Sequence, residues 1–454
     1  MAAAGGGTMS RHPDATALLG LYRTGEADPL TVAEAHLARI AALDPRLNAY
    51  SALSSSVLEE ARAARDRWAA GTPSGPLDGV PVIVKDNLVS AGLPAAWGNP
   101  ELAARLPEHD EAPVAALRRA RVVILGKGNT PEFAVEGYTG NTTFGTTGNP
   151  FAPALTPGGS SGGVVAAVAS GMAVAGLGTD GGGSIRRPAG YTGLWGLKPG
   201  IGRVRRGGGL PQVLLDFETV GPITRSARDL ALFHGVLAGR APQPQGAPLR
   251  ILAVARIGDA PCDPGIRARF DDSVERLRAL GHEVRAGELP VDLAPLNEVW
   301  GQMAEIGLAH LASRDPAILG AAAQKYRDMA GRGAAVSAVT LYEALSRVFA
   351  LREAVRGLWS HDAILMPTAA APPWPAGDAF PPRIDGQEVG PRGHAVYTGW
   401  VNAAGLPALA FPAGLSEGLP VGMQLVADHG GEDALLAVAQ TLDMRQAPEP
   451  VSAM

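Results

Sequence analysis

Apolar positions near the start of the chain recur at helical spacing. Val32, Leu37, Ile40 and Leu43 follow Thr31-Val-Ala-Glu34, which reads as a capping box, and Pro45 is expected to end that helix. A second helix is predicted over 56–69. The pattern then changes. Val80 to Lys85 is a short, continuous, β-branched run, the signature of a strand buried on both faces. A helix over 112–120 and a second buried strand over 121–125 follow, so strand and helix alternate as in a helix-flanked sheet.

Residues 126–210 are crowded with Gly, Ser, Thr, Asn and Pro, yet hold two apolar runs, Val164–Ala169 and Ala173–Leu177. A polar stretch of this length inside a compact chain points to function. Beyond it, Ser226 caps a helix, 249–255 reads as a strand, and Ile266, Phe270, Val274 and Leu277 mark a helix stopped at Gly281. A long helix through Leu341–Trp359 precedes a strand at Ala363–Pro367. A helix over 394–404, strands over 407–411 and 421–427, and a helix over 432–442 close the pattern. No linker-like boundary and no repeat interrupts it. The expected fold is α/β, one large domain over 1–454, with 286–360 a helical excursion that contributes to a substrate pocket.

Composition narrows the class. The 454 residues carry a net charge of −5, which argues against a basic nucleic-acid surface. A hydrophobic content of 46% with 18% charged residues excludes a disordered chain. The single Cys262 rules out an intramolecular disulfide framework and a multi-cysteine metal site. No run reaches the length of a membrane span, and Met1–Ser10 has neither the basic segment nor the apolar core of a signal peptide, with Met9 a second candidate start. The expected setting is the cytoplasm, with no cofactor, no metal, no nucleic acid and no membrane partner; a homodimer is left open. Lysine occurs only four times, at 85, 127, 198 and 325. Arg does not give up its proton in proteins and a buried Lys can, so each surviving Lys is a candidate for acid–base work.

Three patterns compete in the Gly/Ser region. Gly158-Gly-Ser160-Ser-Gly162 fits a nucleophile elbow, but no strand precedes the serine. Gly176-Leu-Gly178-Thr-Asp-Gly181 fits a dinucleotide fingerprint, but three glycines and Pro188 follow where a helix should open. The third combines Ser160, Ser184 and Lys85 in a relay. Ser184 follows three glycines whose backbone can aim several N–H groups at one point. Lys85, beside Val82, Ile83 and Val84, would be desolvated and in part neutral, able to draw a proton through Ser160 from Ser184.

On these residues the chain resembles the amidase signature family. The matching stretches are Gly79-Val-Pro-Val-Ile-Val-Lys-Asp-Asn87, Gly126-Lys-Gly-Asn-Thr-Pro-Glu-Phe133, Phe144-Gly-Thr-Thr-Gly-Asn-Pro150, Pro157-Gly-Gly-Ser-Ser-Gly-Gly163, Gly178-Thr-Asp-Gly-Gly-Gly-Ser-Ile-Arg186 and Gly193-Leu-Trp-Gly-Leu-Lys-Pro199. Asn402-Ala-Ala-Gly-Leu-Pro407 and Gly418-Leu-Pro-Val-Gly-Met-Gln-Leu425 match late in the chain. The resemblance implies a mixed sheet with helices on both faces. It makes Ser184 the acylating nucleophile, Ser160 a bridging serine after a cis peptide, and Lys85 the general base and acid. The N–H groups of Gly181, Gly182, Gly183 and Ser184 would form the oxyanion hole; Asp180, Arg186 and Ser161 would support it. Glu132, Phe133 and Tyr138 would line the substrate pocket. Gly181, Tyr191-Thr192 and Val164 depart from residues frequent in the family, so substrate does not transfer by analogy.

The activity implied is hydrolysis of a small-molecule carboxamide to carboxylate and ammonia or amine. The alternative is the glutaminase subunit of a tRNA-dependent amidotransferase; a nucleotide-binding module is a distant third. Lys127 and Lys198 read as structural, His109 and His429 as loop residues, and Cys262 as inert. Trp300, Met303, His310 and Tyr326 fit either core or pocket.

Overall fold

The computed structural model describes residues 12–243 and 248–443; the expectations for Met1–Ser10 fall outside them. Eleven strands form one sheet: β1 (Tyr50–Leu53), β2 (Pro81–Lys85), β3 (Val123–Gly128), β4 (Ala175–Asp180), β5 (Trp195–Lys198), β6 (Thr219–Thr224), β7 (Arg250–Ala253), β8 (Glu283–Ala286), β9 (Ala363–Pro367), β10 (Ala408–Ser416) and β11 (Leu419–Val426). Their spatial order is β1-β3-β2-β4-β6-β5-β10-β11-β9-β7-β8. The pairs β3–β2, β2–β4, β9–β7 and β7–β8 are parallel; the others are antiparallel. The sheet is therefore mixed, as expected.

Strand β2 shows why both faces are covered. Ile83 packs with Val164, Val165 and Val168 of the helix Gly162–Ala169, while Val82 and Val84 pack with Leu117, Phe233 and Leu237 on the opposite face. Successive side chains of a strand point to opposite faces, so an all-apolar run needs a layer on each side. The segment 162–180 supplies one such layer and the next strand, which makes the Gly-rich region part of the core. Fifteen α-helices lie among the described residues. Four of them, Ala294–Arg314, Pro316–Ala321, Gln324–Ala334 and Ala338–Ala354, build the excursion between β8 and β9. No single described helix is long and apolar enough to cross a membrane.

Several boundaries differ from expectation: the strand expected over 407–411 runs Ala408–Ser416, and of the helix expected over 394–404 only Gly399–Ala404 is α-helical. The first predicted helix runs Pro29–Leu47, capped by Asp28, whose carboxylate accepts from Leu30 and Thr31 N–H; Thr31 thus lies inside the helix. Pro45 sits within it, and the chain turns only at Asn48 in the left-handed conformation. The second buried strand is Val123–Gly128, shifted because Arg121 and Val122 belong to the turn that follows the helix Ala112–Arg119.

Candidate active site

Lys85 closes β2, and its neighbours decide its state. The strand is interior and parallel to β4, with Val84 opposite Leu177, which brings Thr179 beside the lysine. Lys85 is fully buried. Its Nζ donates to Ser160 Oγ at 2.7 Å, Thr179 Oγ1 at 2.8 Å and the Thr179 carbonyl at 3.3 Å. Three acceptors match the three N–H bonds of an ammonium. Burial pushes its pKa down to about 7, Glu218 and Asp180 oppose that fall, and Arg206 adds to it. A group balanced near neutrality is half base and half acid, as relay chemistry needs.

Ser160 follows a cis peptide bond to Gly159, and its carbonyl accepts from Thr130 Oγ1 at 2.8 Å. No strand leads into it and the helix Gly162–Ala169 follows, so the elbow pattern lacks its first half. The dinucleotide pattern also fails structurally: the strand β4 runs to Asp180, and the next helix opens only at Arg186. Ser161 joins the serine loops, donating its N–H to the Ser184 carbonyl at 3.3 Å and its hydroxyl to the Thr179 carbonyl at 3.3 Å.

Ser184 is 6% exposed. Its hydroxyl makes no hydrogen bond among the described residues, so the chain of contacts is closed from Lys85 to Ser160 and open from Ser160 to Ser184. Catalytic hydrogen bonds often tighten only around substrate. The glycine loop differs from expectation at one position. The Gly183 N–H donates to Asp180 Oδ1 at 2.6 Å, so it is not free for an oxyanion. Gly183 has φ +116°, which turns its amide back toward the acid. The amides of Gly181, Gly182 and Ser184 have no main-chain acceptor among the described residues.

Asp180 and Arg186 form a fully buried pair at 3.0 Å. The carboxylate also accepts from Ile185 N–H at 3.0 Å and Asn402 Nδ2 at 3.0 Å. Burial alone would raise its pKa; Arg186, Lys198 and Asn402 outweigh burial and hold it well below the usual carboxylate range. Arg186 further donates to Gln424 Oε1 at 2.9 Å, to the Thr398 carbonyl at 3.1 Å and to Asn402 Oδ1. The two late motifs therefore converge on the brace under Ser184.

Tyr138 is half-buried, and its carbonyl lies against Gly159. Glu132 and Phe133 depart from the expected pocket role. Both are 1% exposed; Glu132 accepts from Asn99 Nδ2 at 2.8 Å and Ala323 N–H at 3.1 Å, and Phe133 packs edge-on between Trp97 and Tyr326. A carboxylate with both oxygens engaged and a ring enclosed on both sides anchor the excursion rather than line a surface. Met303 and Tyr326 are buried and His310 is exposed. Trp300 is half-buried, 5.1 Å from the Phe217 ring, and its indole nitrogen comes within 4.0 Å of where a side chain on Gly182 would begin.

Thr179, Asn87 and Glu218 were not singled out from the sequence. Asn87 Nδ2 donates to Thr179 Oγ1 at 3.2 Å and approaches Glu218 at 3.5 Å, while Arg206 pairs with Glu218 at 3.0 Å. Asn87 and Thr179 stood inside the quoted motifs; the signal was there without a role. Lys127 and Lys198 are as buried as Lys85, with pKa values pushed down by burial to about 8 and about 7, but their amines donate to the carbonyls of Leu88 and Pro199. Among the described residues neither amine donates to a serine.

The site thus joins a buried lysine that donates to a serine and, beside them, a glycine loop bearing a second serine, an arrangement suited to proton-relay chemistry. The chain belongs to the amidase family: the family profile described as Amidase matches residues 31–436. It is 34% identical over 457 residues to a subunit of glutamyl-tRNA(Gln) amidotransferase from Thermus thermophilus, covering 91% of this chain and 93% of that one. Among solved structures, one described as an amidase superposes with a TM-score of 0.88 at 32% identity, covering 96% of this chain and 100% of that chain. A bacterial aryl acylamidase of the amidase signature family superposes with a TM-score of 0.86 at 27% identity, covering 95% and 96%.

Proposed function

We propose that the protein hydrolyses the C–N bond of a small carboxamide through an acyl-Ser184 intermediate. The observation that carries this reading is the 2.7 Å contact between a dry, near-neutral Lys85 amine and Ser160. Neutral Lys85 takes the Ser160 proton as Ser160 takes that of Ser184, whose oxygen attacks the carbonyl carbon. The oxyanion is met by the N–H groups of Gly181, Gly182 and Ser184. On collapse, the leaving nitrogen receives the proton from Lys85 through Ser160. Water then attacks the ester and gives its proton along the same path, releasing the carboxylate and free Ser184. Trp300 brings the helical excursion to within 4.0 Å of where a side chain on Gly182 would begin, which supports a role for 286–360 in substrate choice.

Ammonia release from a panel of primary amides tests the reading, with Ser184→Ala as control and fluorophosphonate labelling of Ser184 as a second readout. Equal rates in both proteins would end it. The likeness to an amidotransferase subunit over 91% of the chain supports a second reading, in which the same site feeds a complex. That version predicts glutamine as the best amide, hydrolysed faster with partner subunits present.

A further inference from the structure

One peptide unit of the glycine loop is held at both ends. Its amide end, the Gly183 N–H, donates to Asp180 Oδ1 at 2.6 Å. Its carbonyl end, on Gly182, accepts from Thr398 Oγ1 at 2.7 Å and from Arg187 Nη1. Thr398 is fully buried and lies 216 positions further along the chain. Its hydroxyl also stands 3.3 Å from the Ala395 carbonyl, but it has one proton to give, and 2.7 Å is the ordinary length of an O–H···O bond. Arg187 Nη1 donates to the same hydroxyl oxygen at 2.8 Å, which leaves the hydroxyl proton for Gly182 and polarises it.

Three glycines in a row make such a clamp consequential. Without a Cβ on either side, the Gly182–Gly183 peptide rotates at little steric cost. A peptide unit is planar, so holding its two ends fixes its orientation. Any tilt of it passes to the units on either side, which carry the Gly182 and Ser184 N–H groups, and these have no main-chain acceptor among the described residues. A side chain on Gly183 would overlap Thr398 Oγ1 and Arg187 Nη1, so loop and clamp are fitted to each other. Thr398 immediately precedes the helix Gly399–Ala404, and Asn402, four residues on, donates to the Asp180 carbonyl at 2.8 Å. One turn of chain thus grips the loop at Asp180 and again at Gly182. The Thr398 carbonyl is taken by Arg186 at 3.1 Å, which ties the same residue to the brace.

We infer that Thr398 is a positioning residue for acylation: its hydroxyl fixes the Gly182–Gly183 peptide so that the N–H groups of Gly182 and Ser184 stay aimed at the oxyanion. The inference rests on the serine-amidase reading above and adds to it a residue that acts through the glycine loop.

The test compares Thr398→Ser with Thr398→Ala, which differ by the hydroxyl alone, on the best amide of the panel. The serine variant should exceed the alanine variant in kcat by about tenfold or more, the weight of one well-made hydrogen bond, with KM within about threefold. Fluorophosphonate labelling of Ser184 draws on the same N–H donors and should slow by a similar factor. The acid limb of the kcat/KM profile should stay in place, because Lys85 takes its contacts from Ser160 and Thr179. Thermal melting checks the fold of each variant, and Thr398→Val, which keeps the shape without the hydroxyl, replaces the alanine protein if that one melts early. Equal kcat with and without the hydroxyl in folded proteins, a loss carried by KM alone, or an acid limb that moves with the loss overturns the assignment while Ser184 chemistry stands. No turnover of any amide by the wild type and no labelling of Ser184 would bring down both.

Discussion

Lys85 Nζ and Thr179 Oγ1 lie 2.8 Å apart inside the sheet, on neighbouring strands of parallel register. The contact supplies a hydroxyl that steadies the ammonium form of a desolvated amine. It ties Lys85 to the strand that leads into the glycine loop. Thr179→Val keeps the shape and removes the oxygen. Lys85 then becomes a weaker base, and the acid limb of the kcat/KM profile shifts to lower pH, with activity at pH 7.5 reduced about 10-fold or more. Unchanged profiles would show that Thr179 has no part in setting Lys85.

A pKa of about 7 for Lys85, against an ordinary 10.5, has two signed consequences. The base form accumulates above about 7, so kcat/KM should fall about tenfold per pH unit below it. For stability, the unfolded chain holds this proton between about 7 and 10.5 while the native chain does not, so unfolding free energy rises with pH across that window. Below about 7 both states are protonated, and the cost of the buried ammonium is present in full. Chemical denaturation at pH 7 and 9 should show the gain shrink in Lys85→Met, leaving the same-signed contributions of Lys127 and Lys198.

Glu218 and Arg206 act on Lys85 with opposite signs, the first raising its pKa and the second lowering it. Glu218→Gln should move the acid limb of kcat/KM to lower pH, and Arg206→Met should move it higher. Shifts in the same direction from both variants would contradict an electrostatic influence on the base. Salt screens such buried neighbours less than surface charges, so the shifts should persist at high ionic strength.

Asp180→Asn leaves Arg186 buried without its counter-charge. The expected loss is about 3–5 kcal/mol of unfolding free energy, read from denaturant titration. Arg383→Ala breaks an exposed pair with Glu388 and should cost under about 1 kcal/mol. A small effect at Asp180 would mean that Asn402 and Gln424 suffice to hold the brace.

Trp300→Ala opens the approach to Gly182. The expected outcome is a changed order of preference among acyl groups, with KM rising several-fold for the best substrate and only a modest loss of stability, since the ring is half-buried. An unaltered substrate profile would detach the helical excursion from substrate choice.

Much of the site was legible in the chain. The β-branched run ending in Lys85, the scarcity of lysine and the serines in glycine loops each carry a local chemical reason, and together they name three side chains. The burial on two faces of β2 followed from its unbroken apolar pattern. Boundaries were harder. Asp28 competes with Thr31 as a cap, and only packing decides between two adequate caps; Pro45 sits in the last turn of its helix. The roles of Asn402 and Gln424 were invisible because they lie more than 200 positions from Arg186, and hydrogen bonds across that separation leave no periodicity to read.

From the chain alone came the residue types, the alternation of elements and the candidate grouping of a scarce lysine with two glycine-flanked serines, because these depend on local preference and burial pattern. Tertiary structure decided which of three equally buried lysines meets a serine. It also turned the Gly183 amide toward Asp180, and left Arg187 with no carboxylate partner among the described residues while Arg186 beside it is paired with Asp180. Those outcomes hang on strand order and on loops meeting from distant parts of the chain, where angstrom-scale distance determines whether a charge is neutralised or available.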